Sequence, residues 1–387
     1  MDSLDTHHLR NLLAPELLRK RLEAETAPRT TLSFYRYVRL AEVEALRHAL
    51  YMEWERLGVL GRIYLAPEGI NAQVSVPSHN LQDFRKALDG RPEFAGVPWK
   101  IAVEDDGRSF LKLAIKVKKK IVADGLADDA FDVTNVGAHL DAATFNRKMA
   151  EGAVVIDMRN NYECAIGHFE GAYLPTSDNF RGAIDEVTGM LRQRTGSVDP
   201  VGRPTTEPEI LLYCTGGIRC EKASAYLKHQ GFTKVGQLHG GIIDYARQIK
   251  AQGLPSKYKG QNFVFDERLA ERITDEVVGR CMQCGAPSDR IANCMEASCN
   301  VMLVQCEACA TMYHDCCSPS CREIHDLPEA VQREWRKGRV TRSTRQKAIG
   351  DGAAWQAHIQ QEEERLAAEG TLHPELSDIN RKAILAS

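Results

Sequence analysis

No apolar run in this 387-residue chain approaches the roughly twenty residues needed to cross a bilayer. Its opening, MDSLDTHHLR, lacks the basic-then-apolar order of a secretory signal, so no membrane partner and a cytoplasmic location are expected. Charge of one sign is also missing. Fifty Lys and Arg stand against 53 Asp and Glu, for a net −3, so any nucleic-acid surface has to be a local patch. Neither a glycine-rich dinucleotide fingerprint nor a flavin motif is present, which removes the commonest redox cofactors. Cysteine is scarce over most of the length: three precede residue 221, and the other nine crowd into Cys281–Cys321. A secreted disulfide scaffold would be short and evenly stapled, so this clustering points to metal or thiol chemistry in a reducing compartment. With 43% hydrophobic and 27% charged residues, about two or three ordinary globular domains are expected.

What is present falls into five stretches. Residues 1–28 carry leucines at helical spacing (Leu9, Leu12, Leu13, Leu17, Leu18, Leu22), a docking face ending near Pro28. Residues 30–124 read strand, helix, strand, strand, helix, strand, with strands at 32–38, 59–65, 70–76, 99–103 and 111–117 and helices at 40–57 and 80–88. That order predicts a ferredoxin-like α+β domain, a fold that implies no function alone. Its last strand places Leu111, Leu113, Ile115 and Val117 on one face and Lys112, Lys116 and Lys118 on the other, continued by Lys119 and Lys120. Such a run is either a solvated edge or a surface that tracks a phosphate backbone.

An acidic, aperiodic stretch at 125–135 reads as a linker. Residues 137–253 then alternate helices and strands, predicting a doubly wound parallel sheet. Within it Ile210–Tyr213 is a short apolar strand, followed by Cys214-Thr-Gly-Gly-Ile-Arg219 and a helix. Gly216 and Gly217 permit a tight loop whose N–H groups face inward. A cysteine at a strand end facing a helix N-terminus is partly thiolate, and Arg219 adds a fixed charge. Only four residues separate Cys214 from Arg219, one fewer than in Cys-dependent phosphatases, and Cys220 follows.

A loop of this length resembles the rhodanese active site, as do Asp157-x-Arg159, Glu163 and the Gly-His-Phe-Glu-Gly-Ala run at 167–172. The longer signatures APEGINA at 66–72, CTGGIRCEKA at 214–223, GGI at 240–242 and NFVFDER at 262–268 are similar to the bacterial tRNA uridine hydroxylase family. The resemblance covers about residues 30–325. It implies a small α+β domain, a rhodanese domain and a Cys-rich segment, acting on the tRNA wobble uridine to give 5-hydroxyuridine with molecular oxygen. It makes Cys214 the persulfide-forming cysteine, closes its loop with Arg219, and gives Asp157 and Arg159 a structural role, as it does His168. His168-x-Glu170 and His139-x-Asp141 each match half of an iron facial triad, a weak coincidence.

The segment 275–327 contains Cys281-x-x-Cys284 and Cys306-x-x-Cys309, the spacing at which thiolate pairs share one tetrahedral zinc. Cys294, Cys299, Cys316, Cys317 and Cys321 offer ligands for a second site, with His314 and His325 as substitutes. Zinc there would be structural; redox-active thiols are the competing reading. Residues 328–387 are charged, with Arg333, Arg336, Lys337, Arg339, Arg342, Arg345 and Lys347 around Trp335, either an RNA contact or a solvated tail. Residues 352–369 read as a polar helix.

Three functions compete: a tRNA uridine hydroxylase; a sulfurtransferase passing a persulfide from a donor protein through Cys214 and Cys220; and a non-enzymatic adaptor. The residues alone supply no account of oxygen activation. A thiolate adding to the uracil ring and a sulfenic acid carrying oxygen both remain open.

Overall fold

The computed structural model describes residues 13–105, 107–126, 130–195, 207–339 and 352–376; Leu9, Leu12, Arg342, Arg345 and Lys347 lie outside them. The chain packs as two compact units. The first takes in the chain through Arg159, then Gly171–Lys257 and Asn262–Ile273; the second holds Asn160–Glu170, Tyr258–Gln261 and the chain from Thr274 on.

In the first unit, helix α1 (Pro15–Glu23) precedes β1 (Arg29–Tyr37), α2 (Val43–Arg56), β2 (Leu60–Ala66), β3 (Gly69–Pro77), α3 (Leu81–Asp89), β4 (Lys100–Ile101) and β5 (Leu113–Val117). The sheet order β4-β1-β3-β2-β5 is the ferredoxin-like arrangement with one strand added parallel to β2. The period-2 alternation drives the packing: Leu32, Phe34, Ile63, Leu65, Ala72, Val74, Leu113 and Ile115 are buried under α2 and α3, where Trp54 and Phe84 meet edge-on at 5.2 Å. The expected strand at 99–103 shrinks to two residues, because only Lys100 and Ile101 pair with β1.

The chain continues through β6 (Ala138–Leu140), α4 (Ala142–Ala150), β7 (Val154–Asp157), α5 (Asn161–Cys164), β8 (Gly167–Phe169), α6 (Phe180–Thr195), β9 (Ile210–Tyr213), α7 (Ile218–His229), β10 (Val235–Leu238), α8 (Gly241–Gln252), β11 (Tyr258–Phe263) and β12 (Ala270–Arg272). Strands β6, β10, β9 and β7 form a parallel sheet in that order. All four residues of β9 are buried, as a strand covered on both faces requires. Asp124 is buried and ion-paired to Lys222 of α7 at 2.7 Å, which pins the chain before residue 125.

In the second unit, β8 pairs antiparallel with the start of β11. The Cys-rich segment forms the hairpin β13 (Ile291–Asn293) and β14 (Met302–Val304), then α9 (Glu307–Tyr313), α10 (Pro319–His325), α11 (Glu329–Arg336) and α12 (Gly352–Glu369). The predicted polar tail helix packs rather than floats. Ile359 joins Cys281, Cys309 and Tyr313 in one core, and the Trp355 indole donates to the Cys317 carbonyl at 3.2 Å. Trp335, buried beside Ile324 and Leu376, is capped by the Arg339 guanidinium 3.6 Å from its ring, so this aromatic is a core residue and not an exposed RNA platform.

Candidate active site and cysteine clusters

Cys214 leaves the carboxyl end of β9, and Gly217, at φ 95°, turns the chain into α7. A left-handed residue is needed there, and a Cβ would also come within 2.8 Å of the Tyr35 hydroxyl. The Gly217 N–H donates to Cys214 Sγ at 3.1 Å. From the other side, Ile242 and Ile243 N–H at the start of α8 donate to the carbonyls of Cys214 and Thr215. Gly241 sits so close that a Cβ would lie 2.5 Å from the Cys214 carbonyl, which explains the glycine that opens α8. Burial alone would push the Cys214 thiol up. The Cys220 thiol, the Arg219 charge and the N–H groups of Cys220 and Arg219 outweigh it, bringing the pKa from 9.0 down to about 6. Cys220, whose thiol is buried and faces the Cys214 anion, is pushed well above its ordinary value. The Arg219 guanidinium also reaches Thr215 Oγ1 at 3.3 Å.

The N-terminal domain covers this loop, so Cys214 has no solvent exposure. Tyr35 of β1 donates to Glu221 Oε1 at 3.0 Å, and Tyr37 to the Ile218 carbonyl at 3.2 Å. Lys100 of β4, 6% exposed, holds its ammonium 4.4 Å from the Tyr35 ring and its stem against Gly216. Burial lowers its pKa, opposed by the charges of Asp244, Cys214 and Glu221. Glu221 would be raised by burial, but His139 at 2.9 Å and Gln237 at 3.0 Å keep it below the usual carboxylate range. The Lys222 ammonium, 1% exposed, meets Glu68 at 2.9 Å, Asp124 at 2.7 Å and the Val122 carbonyl at 3.0 Å. Sequence reasoning missed Tyr35, Lys100 and Glu221 as site residues. Tyr35 and Tyr37 alternate out of phase with the apolar face of β1, a legible sign, whereas nothing local marks Lys100.

The other predicted residues distribute as follows. Asp157 and Arg159 pair with each other, both fully buried, at 2.9 Å and 2.7 Å. Glu163 and Asn160 form a capping box on α5, and His168 Nδ1 lies 3.0 Å from the Cys164 carbonyl. His139 faces Glu221 and Asp141 caps α4 through the Thr144 N–H, so that pair does not converge on an iron site. Lys112, Lys116, Lys118 and Lys119 are exposed. Lys120 departs from the run: it turns inward to Asp124 at 2.8 Å and the Leu126 carbonyl at 2.7 Å, so its charge is engaged within the fold.

Eight cysteines of the Cys-rich segment form two groups, Cys281, Cys284, Cys306 and Cys309, and Cys294, Cys299, Cys317 and Cys321, each with all sulfurs within 4.8 Å of one another. Sulfur pairs Cys284–Cys306, Cys299–Cys317 and Cys317–Cys321 are 3.6 Å apart. A tetrahedron with Zn–S bonds of about 2.3 Å has S···S edges of roughly 3.8 Å, so both sets fit a closed four-thiolate ion, while disulfides would need about 2.05 Å. Cys316, predicted as a ligand, stands outside both groups, and its carbonyl accepts from Gln283 and Gln305. His314 is taken by Asp326 at 2.6 Å.

Three family models match along the chain: the UPF0176 acylphosphatase like domain at residues 29–121, the rhodanese-like domain at 141–248, and the rhodanase C-terminal region at 259–322. A protein of Leptospira interrogans named tRNA uridine(34) hydroxylase is 56% identical over 333 residues, 86% of this chain and 88% of that protein. One of the same name from Cronobacter sakazakii is 48% identical over 86% of this chain and 92% of its own. A rhodanese-like domain from Anabaena sp., solved by solution NMR, is 22% identical with TM-score 0.23, covering 32% of this chain and 78% of that domain, too slight a likeness to argue from.

Proposed function

This chain belongs to the tRNA uridine(34) hydroxylase family, and from that premise we propose that it hydroxylates the wobble uridine of tRNA to 5-hydroxyuridine in an oxygen-dependent reaction with Cys214 at the reacting base. The observation that carries this is the composite site. A thiol held as its anion lies under Tyr35 and Lys100 of the N-terminal domain, groups that a rhodanese fold by itself does not contain. One atom of dioxygen goes to C5 of the base; the other is reduced to water with two electrons and two protons from an external reductant. By either route open to Cys214, addition to the pyrimidine ring or carriage of oxygen as a sulfenic acid, the reacting group is the thiolate. Arg219 and the loop N–H groups keep it ionised, and the covering tyrosines keep bulk water away.

The two cysteine groups hold structural zinc in this reading, since four protein thiolates leave no open position for catalysis. No described helix is long and apolar enough to cross a membrane. Because its substrate in this reading is tRNA, the enzyme works in the cytoplasm. The six-residue loop favours one second reading, a persulfide on Cys214 supplied by a sulfur-donor protein and passed to the RNA.

Isotopes separate the two, because replacing oxygen by sulfur and adding a hydroxyl give the same nominal mass gain. Under labelled dioxygen the hydroxylase places label on C5 of uridine 34 and incorporates no sulfur. Labelled sulfur in the nucleoside, formed without oxygen, overturns the hydroxylase reading.

A further inference from the structure

The helices of the N-terminal domain itself, α2 and α3, pack on one face of its sheet. On its other face the register lines up Tyr35, Asn71, Tyr64 and Lys116 as direct cross-strand neighbours, a row of about 14 Å at three strand spacings. The adjacent row places Gln73 beside Arg62. These residues point away from the apolar core; Tyr35, Asn71 and Tyr64 are half-buried, and Lys116 at the β5 edge is exposed. At the inner end the Tyr35 hydroxyl touches the position of a Gly217 Cβ and bonds Glu221, so the row runs into the loop that holds the thiolate. At the outer end Arg62 and Lys116 are exposed, with Lys118 5.7 Å from the Tyr64 ring. Between them, among the described residues, the Asn71 and Gln73 amides make no side-chain hydrogen bond, leaving donors and acceptors free on a half-exposed surface.

We propose that this face seats the single-stranded loop of the RNA substrate. Tyr64 stacks on one base, Asn71 and Gln73 bond base edges, Arg62 and Lys116 neutralise phosphates, and the next base passes Tyr35 to reach Cys214. The inference rests on the reading of the chain as a tRNA-modifying enzyme and gives that reading a substrate-binding surface. An open sheet with an aromatic platform is suited to two or three splayed bases, whereas duplex RNA offers only its backbone and a shallow groove. Arg62 can serve a phosphate because the Phe265 carbonyl, at 3.2 Å from Nη1, occupies only one of its nitrogens. The two features that select RNA over a protein partner are positive charge at the open end and continuity with the reacting thiolate at the closed end.

The test uses the full chain with two probes, a synthetic anticodon stem-loop carrying uridine at the wobble position and a blunt RNA duplex of equal length. Binding is read by fluorescence anisotropy and hydroxylation by steady-state kinetics on tRNA. Tyr64→Ala raises the stem-loop Kd roughly tenfold or more, the loss expected for one stacked base, and raises KM more than it lowers kcat. Tyr64→Phe binds as wild type does, and duplex affinity does not change in either variant. Lys116→Gln reduces the slope of log K against log salt by about 0.7. Equal stem-loop affinity in Tyr64→Ala and wild type overturns the proposal, as does a duplex that competes as well as the stem-loop. Should Tyr64→Ala lower the unfolding midpoint, Gln73→Ala, on the solvent side of the sheet, carries the same expectation. A wild-type chain that incorporates no oxygen, yet loses the stem-loop on Tyr64→Ala, keeps the surface and removes the activity. Normal oxygen incorporation with unaltered Tyr64→Ala binding does the reverse.

Discussion

Replacing Arg219 by Gln tests whether the Cys214 anion is built by its loop. The wild-type thiol titrates near 6 instead of 9.0. At pH 7 it is therefore about nine-tenths ionised, where a thiol at its ordinary value would be about one-hundredth ionised. An opposite charge at contact lowers a pKa by about one to three units, each worth about 1.36 kcal/mol. Removing the guanidinium thus moves the midpoint up to between roughly 7 and 9, and the thiolate at pH 7 falls to between about a half and a hundredth. The sign follows from a depressed acid: the anion appears as pH rises through the folded-state pKa and is lost as pH falls through it. The assay is the ultraviolet thiolate absorbance of each protein minus its Cys214→Ser counterpart across the titration, which cancels the other eleven cysteines of the twelve in the chain. Activity of Arg219→Gln falls with the thiolate at pH 7 and recovers at higher pH, and Arg219→Lys shifts less. A wild-type midpoint above 8, or an Arg219→Gln midpoint equal to wild type, refutes the argument.

Elemental analysis of chain purified without chelator should give two zinc per protein, falling to one in Cys309→Ser and staying at two in Cys316→Ser; metal-free folded protein would return both groups to plain thiols. Lys222→Met leaves the buried Asp124 with Lys120 as its remaining cation and unties Glu68 from α7, so it should cost about 1.5–3 kcal/mol, read as a lower urea midpoint for the first unit. An unchanged midpoint there would mean that the buried ion cluster does not hold the linker to the rhodanese-like domain.

Much of the fold was legible because its signals are local. Strict alternation placed β1, β2, β3 and β5 to within a few residues. The strand, glycine loop and helix around Cys214 mark it as the candidate nucleophile, since the groups that lower its pKa lie within six residues of it. C-x-x-C spacing found the first four-cysteine group for the same reason. Where the sequence misled, the outcome turned on which way a side chain packs, near or far, and no periodicity records that. Lys120 reads as one more lysine of the run until Asp124 takes it, Cys316 as one more ligand until its neighbour Cys317 fills the set, and Trp335 as an exposed aromatic until Leu376 covers it.

By itself the sequence determined most of the elements, the candidate reactive cysteine, the cysteine pairs and, through its signatures, the family. Only the tertiary structure decided that Lys100 and Tyr35, more than a hundred residues before Cys214, close over its loop. It also decided that one sheet face, rather than the lysine run alone, leads toward that thiolate. Local pattern reports which way a side chain points relative to its own strand. What waits on that side is set by packing between segments far apart in sequence, and no short-range periodicity records it.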